Sequence, residues 1–271
     1  IHLLSFGVER PDVKGFSDSP CICPSRGDGR ERTVPAVPSE RRPPSGSDPG
    51  QLVGSGRAAD VYDVGEGRVL RRTRSGESTD REAAVMRHLR DHGYPVPQVH
   101  DADGPDIVMD RLEGPTMLEA FGRRPWMIRS WARLLASLHH RLVAVPVPDL
   151  ALPERFGPPE VLVHADLHPD NVMLTPKGPM VIDWPNTGVG PRHAEVASTW
   201  IIVATSEIDA GGLLGKTQHV VRAHFLSVFL EHADRDAARP LLPAVAAHRL
   251  NDRNLRPDEA TAIHQLLNDE L

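Results

Sequence analysis

Short runs of apolar residues, broken by Gly and Pro, dominate the chain between residues 51 and 112. Such runs predict strands, here one on each side of a glycine turn at residues 54–56 and two more over 68–72 and 106–109. Between them, apolar positions recur at helical spacing over residues 80–90, and the glycine and proline that follow are an ordinary helix stop. The pattern therefore predicts a small β-rich lobe that contains one helix.

From residue 113 to residue 271 the apolar spacing becomes mostly helical. Trp126, Ile128, Trp131, Leu135 and Leu138 lie on one stripe of a predicted long helix. Further helices are predicted over residues 193–206, 217–232, 236–248 and 257–269. The fold class is therefore α+β, with a small β-rich N-lobe over residues 51–112 and a larger, mostly helical C-lobe. A cofactor site is expected in the cleft between such lobes.

Residues 1–50 have a different composition, since 21 of them are Pro, Gly or Ser. A segment of this kind buries too little apolar surface to offset its ordering entropy, so we expect it to be disordered. Both cysteines, Cys21 and Cys23, lie in it. They are one residue apart with no second pair, which makes a metal site improbable and leaves no disulfide framework for the fold.

The amino-acid composition excludes few classes of protein. The 271 residues are 39% hydrophobic and 25% charged, an ordinary globular mixture. The formal net charge of −6 argues against a nucleic-acid-binding surface. No apolar run is long enough for a transmembrane helix, so we expect no membrane partner and a cytoplasmic location.

The most informative chemistry lies in two motifs, His-Ala-Asp-Leu-His-Pro-Asp-Asn at 164–171 and Val-Ile-Asp-Trp at 181–184. Two strand-like runs, 171–174 and 180–183, flank a Pro- and Gly-containing turn. A hairpin centred on Lys177 would place Asn171 directly opposite Asp183. Opposed residues share a face and have Cβ atoms about 4.5–5.5 Å apart.

An amide oxygen and a carboxylate at that separation are suited to Mg²⁺, which prefers hard oxygen ligands. A strand over residues 160–163 would deliver Asp166 on a loop beside the same point, where it could orient a substrate hydroxyl and accept its proton. The pattern His-x-Asp-x₄-Asn followed by an apolar-Asp-aromatic step is typical of kinase-like phosphotransferases.

The predicted N-lobe carries candidates for binding nucleotide phosphates. Backbone N–H groups of the turn Gly54-Ser55-Gly56 could approach phosphates, with Val61 covering the base. Strand alternation places Arg71 on the cleft face beside Val69. Glu82, on the following helix, is the natural carboxylate partner for Arg71.

In these motifs the chain resembles the aminoglycoside phosphotransferase family, which also includes choline, homoserine and fructosamine kinases. The resemblance covers residues 51–271. It implies that Asp166 is the catalytic residue, that Asn171 and Asp183 bind magnesium, and that His164 buttresses the loop. It further implies that the backbone around Met109, Asp110 and Leu112 holds adenine, with ATP or GTP as donor and a small-molecule hydroxyl as acceptor.

Several positions depart from the family pattern. Arg71 replaces the strand lysine, Ala59 stands where a third glycine would be, and Asp170 replaces the small residue before Asn171. Glu195 stands near the place of a shorter family aspartate, so its anchoring role is open. These departures leave a second interpretation, a nucleotide-binding module without turnover.

A third interpretation is a metallohydrolase, because His164, Asp166, His168 and Asp170 alternate along the chain and His193 could add a ligand. The acceptor is left open as well. An amino sugar or quaternary amine could meet acidic residues, although each is more often a solvated surface charge. The candidates are Glu119, Glu207, Asp209, Glu231, Asp269 and Glu270.

Overall fold

The structure, a computed structural model, describes residues 49–56, 58–206, 212–252 and 255–271, and for residues 212–219 it describes the backbone alone. The N-terminal lobe is a five-stranded antiparallel sheet with the strand order β1-β2-β3-β5-β4. Helix α1 follows β3. The elements are β1 Gln51–Ser55, β2 Ala59–Gly65, β3 Arg68–Thr73, α1 Asp80–Asp91, β4 Val99–Asp103 and β5 Asp106–Asp110.

The register of this sheet places four of the predicted nucleotide-binding residues, Gly54, Val61, Arg71 and Met109, on one face. Val61 of β2 is opposite Gly54 of β1 on one side and Arg71 of β3 on the other. Val69, two residues before Arg71, is opposite Met109 of β5. Because opposed residues share a face and alternate residues return to it, these side chains lie on a common face of the sheet.

Helix α1 forms for reasons that are local. Asp80 and Glu82 are in its first turn, and His88 and Arg90 are in its last, so both ends complement the helix dipole. Gly93, with φ of +74°, ends it in the left-handed region. The helix buries its apolar face in the core and turns Glu82 inward with it.

The C-terminal lobe is mainly helical, with two small antiparallel strand pairs, β6 with β9 and β7 with β8. Its helices are α2 Met117–Arg123, α3 Ile128–Val143, α4 Ala194–Thr205, α5 Gly212–His232, α6 Arg235–Ala238, α7 Leu242–Leu250 and α8 Pro257–Glu270. Its strands are β6 Val161–Val163, β7 Val172–Thr175, β8 Gly178–Val181 and β9 Gly188–Gly190.

Helix α4 is the centre of this lobe. It is buried on nearly every side, as expected for a helix that is apolar all round. It lies against α5, α7 and α8. Trp200 of α4 and Phe225 and Phe229 of α5 are among the largest fully buried side chains. This packing fixes the platform that carries the two sequence motifs.

Most predicted elements are present, with four differences. The single helix predicted over residues 236–248 is divided into α6, a 3₁₀ turn at Arg239–Leu241 and α7. Strands β4 and β9 were not predicted, because β4 is largely polar and β9 is Gly-Val-Gly. The long helix begins at Ile128, after a 3₁₀ turn at Pro125–Met127, so Trp126 is outside its apolar stripe and 75% exposed. Trp131 and Trp200 are buried core residues.

The disorder expected for residues 1–50 falls almost wholly outside the described residues, as do Cys21 and Cys23. In the parts of the chain that the structure does describe, no helix combines the length and the apolar character needed to cross a bilayer.

Candidate active site

The hairpin that carries the second motif has a register one residue away from the predicted one. Val172 pairs with Val181 and Thr175 with Gly178, so the turn contains Pro176 and Lys177 rather than being centred on Lys177. Asn171 is therefore opposite Ile182, whose N–H donates to the Asn171 carbonyl at 3.0 Å. The prediction that Asn171 directly faces Asp183 is wrong, because a two-residue turn shifts the pairing by one position.

Asp183 comes one residue beyond the paired strand and turns toward the other lobe. Its φ of +67° is in the left-handed region, which is uncommon for a residue with a side chain. Its Oδ1 lies 3.3 Å from Nη1 of Arg71, and its side chain is 47% exposed. The strained backbone thus aims the carboxylate at β3 across the cleft between the lobes.

The side chain of Arg71 links strand β3 to helix α1 and to the segment that follows β8. Its Nη2 is hydrogen-bonded to Oε2 of Glu82, so the partner expected from the sequence is in place. Both side chains are largely buried, with 12% and 7% exposed. Oε1 of Glu82 accepts the N–H of Trp184 at 3.3 Å. Burial raises the pKa of Glu82, while the charge of Arg71 acts in the opposite direction.

Asp166 is held by Asn171 and His168 from its own loop and faces Arg249 from α7. The Asn171 amide donates to the Asp166 carbonyl at 2.8 Å and to Oδ2 at 3.3 Å. Nε2 of His168 lies 3.6 Å from Oδ1, and Nη1 of Arg249 lies 3.9 Å from it. Burial alone would raise the pKa of Asp166, but the positive charges of His168 and Arg249 outweigh it, and the pKa is lowered. The carboxylate is therefore ionised near neutral pH.

Glu195, whose role the sequence left open, holds the backbone of this loop through two hydrogen bonds. Its Oε2 accepts the N–H of Ala165 at 2.7 Å and its Oε1 accepts the N–H of Leu167 at 3.1 Å, one on each side of Asp166. It is 2% exposed. Burial raises its pKa, while His164 and the two N–H groups act in the opposite direction. Ala165 has a φ of +66°, so the two hydrogen bonds stabilise a strained turn.

His164 connects the two motifs. Its Nε2 is 3.0 Å from the carbonyl oxygen of Ile182, and its ring lies against Trp184 with centroids 4.3 Å apart. Asp170, which replaces the usual small residue, accepts the hydroxyl of Thr116 at 3.0 Å and ties the loop to α2. Asp166 and His168 thus lie side by side, whereas His164 and Asp170 contact Ile182 and Thr116. Within the described residues, no group of three or more His, Cys, Asp or Glu side chains is placed to hold a metal ion.

The glycine turn closes between β1 and β2. Gly56 N–H donates to the carbonyl of Ala59 at 2.8 Å. The Ser55 hydroxyl donates to Asp60 at 2.7 Å and also contacts Arg74, so its side chain is engaged within the sheet. Gly54 is in β1 and pairs with Val61. Arg57, the residue after Gly56, is outside the described residues.

The chain leaves the sheet at residues 109–112, where adenine binding was predicted. The Asp110 N–H donates to the Gln98 carbonyl at 3.0 Å, so it is not free for a base. The Asp110 carboxylate binds His100 at 2.8 Å. The Arg111 N–H donates to Gly67 at 2.8 Å and holds this segment against the β2–β3 turn. Met109 and Leu112 are half-buried beside it.

Arg249 is the residue at this site that sequence reasoning missed. It lies on α7, 83 positions after Asp166, and belongs to no motif. Only the packing of α7 against α4 brings it to the catalytic loop. No local signal in the sequence marks such a contact.

The protein has a small lobe, formed by an antiparallel sheet and one helix, and a larger helical lobe. The loop that carries Asp166 and Asn171 lies at their junction. These features define a kinase-like two-lobed protein. The chain belongs to the phosphotransferase enzyme family, whose model matches residues 50–155 and 145–241. This confirms both the α+β kinase-like fold and the family that the motifs indicated. Among curated proteins, none matches the sequence significantly.

Solved structures share the fold at low identity. An ADP-bound aminoglycoside phosphotransferase APH(2'')-Ib is 14% identical, with 81% of this chain and 92% of that chain covered and a TM-score of 0.55. A thermostable mutant of aminoglycoside phosphotransferase APH(4)-Ia is 16% identical, covers 81% and 94%, and has a TM-score of 0.57. A choline/ethanolamine kinase family protein from Mesorhizobium loti is 16% identical, covers 82% and 88%, and has a TM-score of 0.52.

Proposed function

We propose that this chain transfers the γ-phosphoryl group of ATP, or of GTP, to a hydroxyl of a small molecule in a magnesium-dependent reaction. The observation that carries the proposal is the meeting of the two lobes at Arg71 and Asp183, 3.3 Å apart. The Asp166–Asn171 pair is linked to the same point, because Asn171 bonds to the backbone of Ile182. An ADP-bound family structure with this fold supports an adenine nucleotide as donor.

The donor atoms at this point fit Mg²⁺. The Asn171 amide nitrogen is engaged by Asp166, which orients the amide oxygen away from that carboxylate. Asp183 is half-exposed and negatively charged. One amide oxygen and one carboxylate are hard ligands of the kind Mg²⁺ takes together with water and phosphate oxygens. The ion, when bound, would neutralise charge on the donor's phosphates.

Arg71 would contact the inner phosphates. Its guanidinium forks between Glu82 and Asp183, and Glu82 is itself fixed by the N–H of Trp184. Nucleotide and metal would take over the Arg71–Asp183 contact, while the buried Arg71–Glu82 pair stays. The turn at Gly54, Ser55 and Gly56 would cover the phosphates, and Val61 and Met109 would contact the base.

Asp166 would align the acceptor hydroxyl. Its lowered pKa keeps it ionised, so it can accept a hydrogen bond from the hydroxyl and take the proton late in the transfer. Glu195 and Asn171 hold it in position. Positioning and charge stabilisation supply most of the acceleration in such reactions.

The test measures ADP release from Mg-ATP over a panel of hydroxylated metabolites and aminoglycosides. We expect one acceptor class to stimulate release, and Asp166→Asn to reduce turnover by about 10²–10⁴-fold. The matched control is Asp149→Asn, an exposed aspartate, which should leave turnover unchanged. Full turnover in Asp166→Asn would refute the role given to Asp166.

One observation favours a second candidate, a nucleotide-binding module without turnover. Arg71 replaces a lysine and contacts Asp183 as well as Glu82, so it competes for a proposed metal ligand. Two results together would support this candidate: magnesium-dependent binding of AMP-PNP, and no release of ADP from ATP with any acceptor. A cytoplasmic location and the lack of nucleic-acid or membrane partners remain predictions.

A further inference from the structure

We propose that the acceptor of this phosphotransferase carries an anionic group, a carboxylate or a phosphate, and that Arg249 binds it beside Asp166. The proposal rests on the proposed function, because it concerns the acceptor side of the same site. It names a residue that determines specificity and a chemical class of substrate.

Among the described residues, none occupies the edge of Arg249 that lies next to the carboxylate of Asp166. Its Nε and Nη2 bind Oε1 of Glu259 on α8 at 3.2 and 2.9 Å, which fixes the guanidinium plane. Its Nη1 lies 3.9 Å from Oδ1 of Asp166, beyond hydrogen-bonding distance. The side chain is 29% exposed. Because Glu259 binds the guanidinium on its Nε–Nη2 side, the Nη1–Nη2 side remains for bidentate binding of a carboxylate or phosphate.

A second cation, Arg155, contacts the neighbouring position on α7 and has no acidic partner among the described residues. The Nε of Arg155 is buried and makes no hydrogen bond. Its Nη1 lies 3.2 Å from Nε2 of His248, the residue before Arg249 on α7. An imidazole nitrogen that accepts from arginine belongs to a neutral ring, so His248 does not offset the charge. In the described parts of the chain, no carboxylate lies within ion-pair distance of Arg155.

Three of the acidic residues that could have met a cationic acceptor are engaged elsewhere. Glu119 closes the capping box of α2 with Thr116. Glu270 pairs with Arg235, and Asp269 accepts from Gln265 at 2.9 Å. Glu231 is exposed on α5. Glu207 and Asp209 lie outside the described residues.

The charges that do lie against Asp166 are positive. They come from Arg249 and from His168, which lies 3.6 Å from the carboxylate. An acceptor whose hydroxyl reaches Asp166 therefore meets a guanidinium at the same point. The open edge of Arg249 carries only N–H donors, so an anion would gain a charge-assisted hydrogen bond there, whereas an ammonium group would find no acceptor on that edge.

The bonds that form and break are those of any kinase reaction. The acceptor oxygen forms a bond to the γ-phosphorus, the bond from that phosphorus to the β–γ bridging oxygen breaks, and ADP leaves. The hydroxyl proton passes to Asp166 and then to solvent. The anionic group of the acceptor takes no part in bond making and serves only to hold the hydroxyl in place.

Four hexose probes that differ mainly in charge test the proposal. They are glucuronate, glucose 6-phosphate, glucose and glucosamine, titrated calorimetrically into the protein loaded with Mg-AMP-PNP. We expect one of the two anions to bind at least tenfold more tightly than glucose, and glucosamine to bind most weakly. The carboxylate and phosphate probes separate the two sources of negative charge.

Variants test whether Arg249 causes the preference for an anionic probe. Arg249→Gln should weaken binding of the preferred anion roughly 10- to 100-fold and leave glucose unchanged. Arg249→Lys keeps the charge but not the fork, so it should retain part of the preference. Arg235→Gln breaks another arginine–glutamate pair onto α8 and should change nothing.

Three results would overturn the proposal: equal or tighter binding of glucosamine, a preference for anions that survives Arg249→Gln, or no binding of either anion at its highest soluble concentration. Failure of the proposed function is a separate result, since it would show as no ADP release with any acceptor. Thermal unfolding of each variant confirms that it is folded before its binding is compared.

Discussion

Replacing Glu195 tests whether a single carboxylate holds the catalytic loop in its strained form. Its two oxygens accept the N–H groups of Ala165 and Leu167 at 2.7 and 3.1 Å. Glu195→Gln keeps the shape but turns one acceptor into an NH₂ group that faces a backbone N–H. One of the two buried N–H groups then loses its partner.

The magnitude follows from the number of bonds lost. A hydrogen bond to a charged group contributes about 1.5–3 kcal/mol, and a buried N–H left without a partner costs about 1–3 kcal/mol. We therefore expect Glu195→Gln to lower the free energy of unfolding by about 2–4 kcal/mol, out of a total of about 5–15 kcal/mol for a typical domain. Glu195→Asp keeps the charge, although it is one methylene shorter, and should cost less.

Urea unfolding and ADP release measure the two consequences. Turnover should fall about 100-fold or more in Glu195→Gln, because a misplacement of about 1 Å at a catalytic group has that effect. Binding of AMP-PNP should be nearly unchanged. Glu231→Gln, at an exposed position, is the control and should stay within about 0.5 kcal/mol of the parent. An equally small change in Glu195→Gln with full turnover would refute the reasoning.

Three further changes test other parts of the structure. Arg71→Met leaves the buried Glu82 unpaired and should cost about 3–5 kcal/mol in urea unfolding, whereas Arg71→Lys should cost much less; equal costs would refute the pairing. Burial lowers the pKa of His139 from 6.5 to about 4, so the unfolded chain takes up a proton first as the pH falls. The free energy of unfolding should therefore drop by up to about 3 kcal/mol between pH 6.5 and pH 4, and His139→Gln should remove that drop. A flat profile would mean that the imidazole is charged and donates from both nitrogens, to Leu135 and to Thr199. Gly114→Ala places a Cβ 2.2 Å from the Leu174 carbonyl at a φ of +133° and should destabilise the fold by more than about 2 kcal/mol. Gly122→Ala, in open space on α2, should be neutral or slightly stabilising; similar losses in both would contradict the packing at Gly114.

The parts of the site that the sequence predicted are those encoded within short stretches. Asn171 and Asp183 flank the open end of one hairpin, and Asp166 comes shortly before it in the chain. The apolar face of α1 turns Glu82 inward, and strand alternation turns Arg71 toward it. Each of these inferences needs only the period of a helix or strand and a single turn.

The parts that it did not predict depend on loop geometry or on distant packing. Whether the turn at Pro176 and Lys177 holds two residues or three decides which residue faces Asn171, and composition does not settle this. Strand β9 forms because Gly188 and Gly190 let the segment around Arg155 approach within a distance that any Cβ would block. Arg249 reaches Asp166 through helix packing alone.

The central claim is that Asp183 holds the metal and that Asp166 acts only on the acceptor. Calorimetric titration of AMP-PNP, with and without magnesium, into the parent chain, Asp183→Ala and Asp166→Ala tests it most directly. We expect Asp183→Ala to lose the magnesium-dependent part of the affinity and Asp166→Ala to bind the nucleotide as the parent does. Equal affinity for Mg-AMP-PNP in Asp183→Ala and the parent would contradict the account.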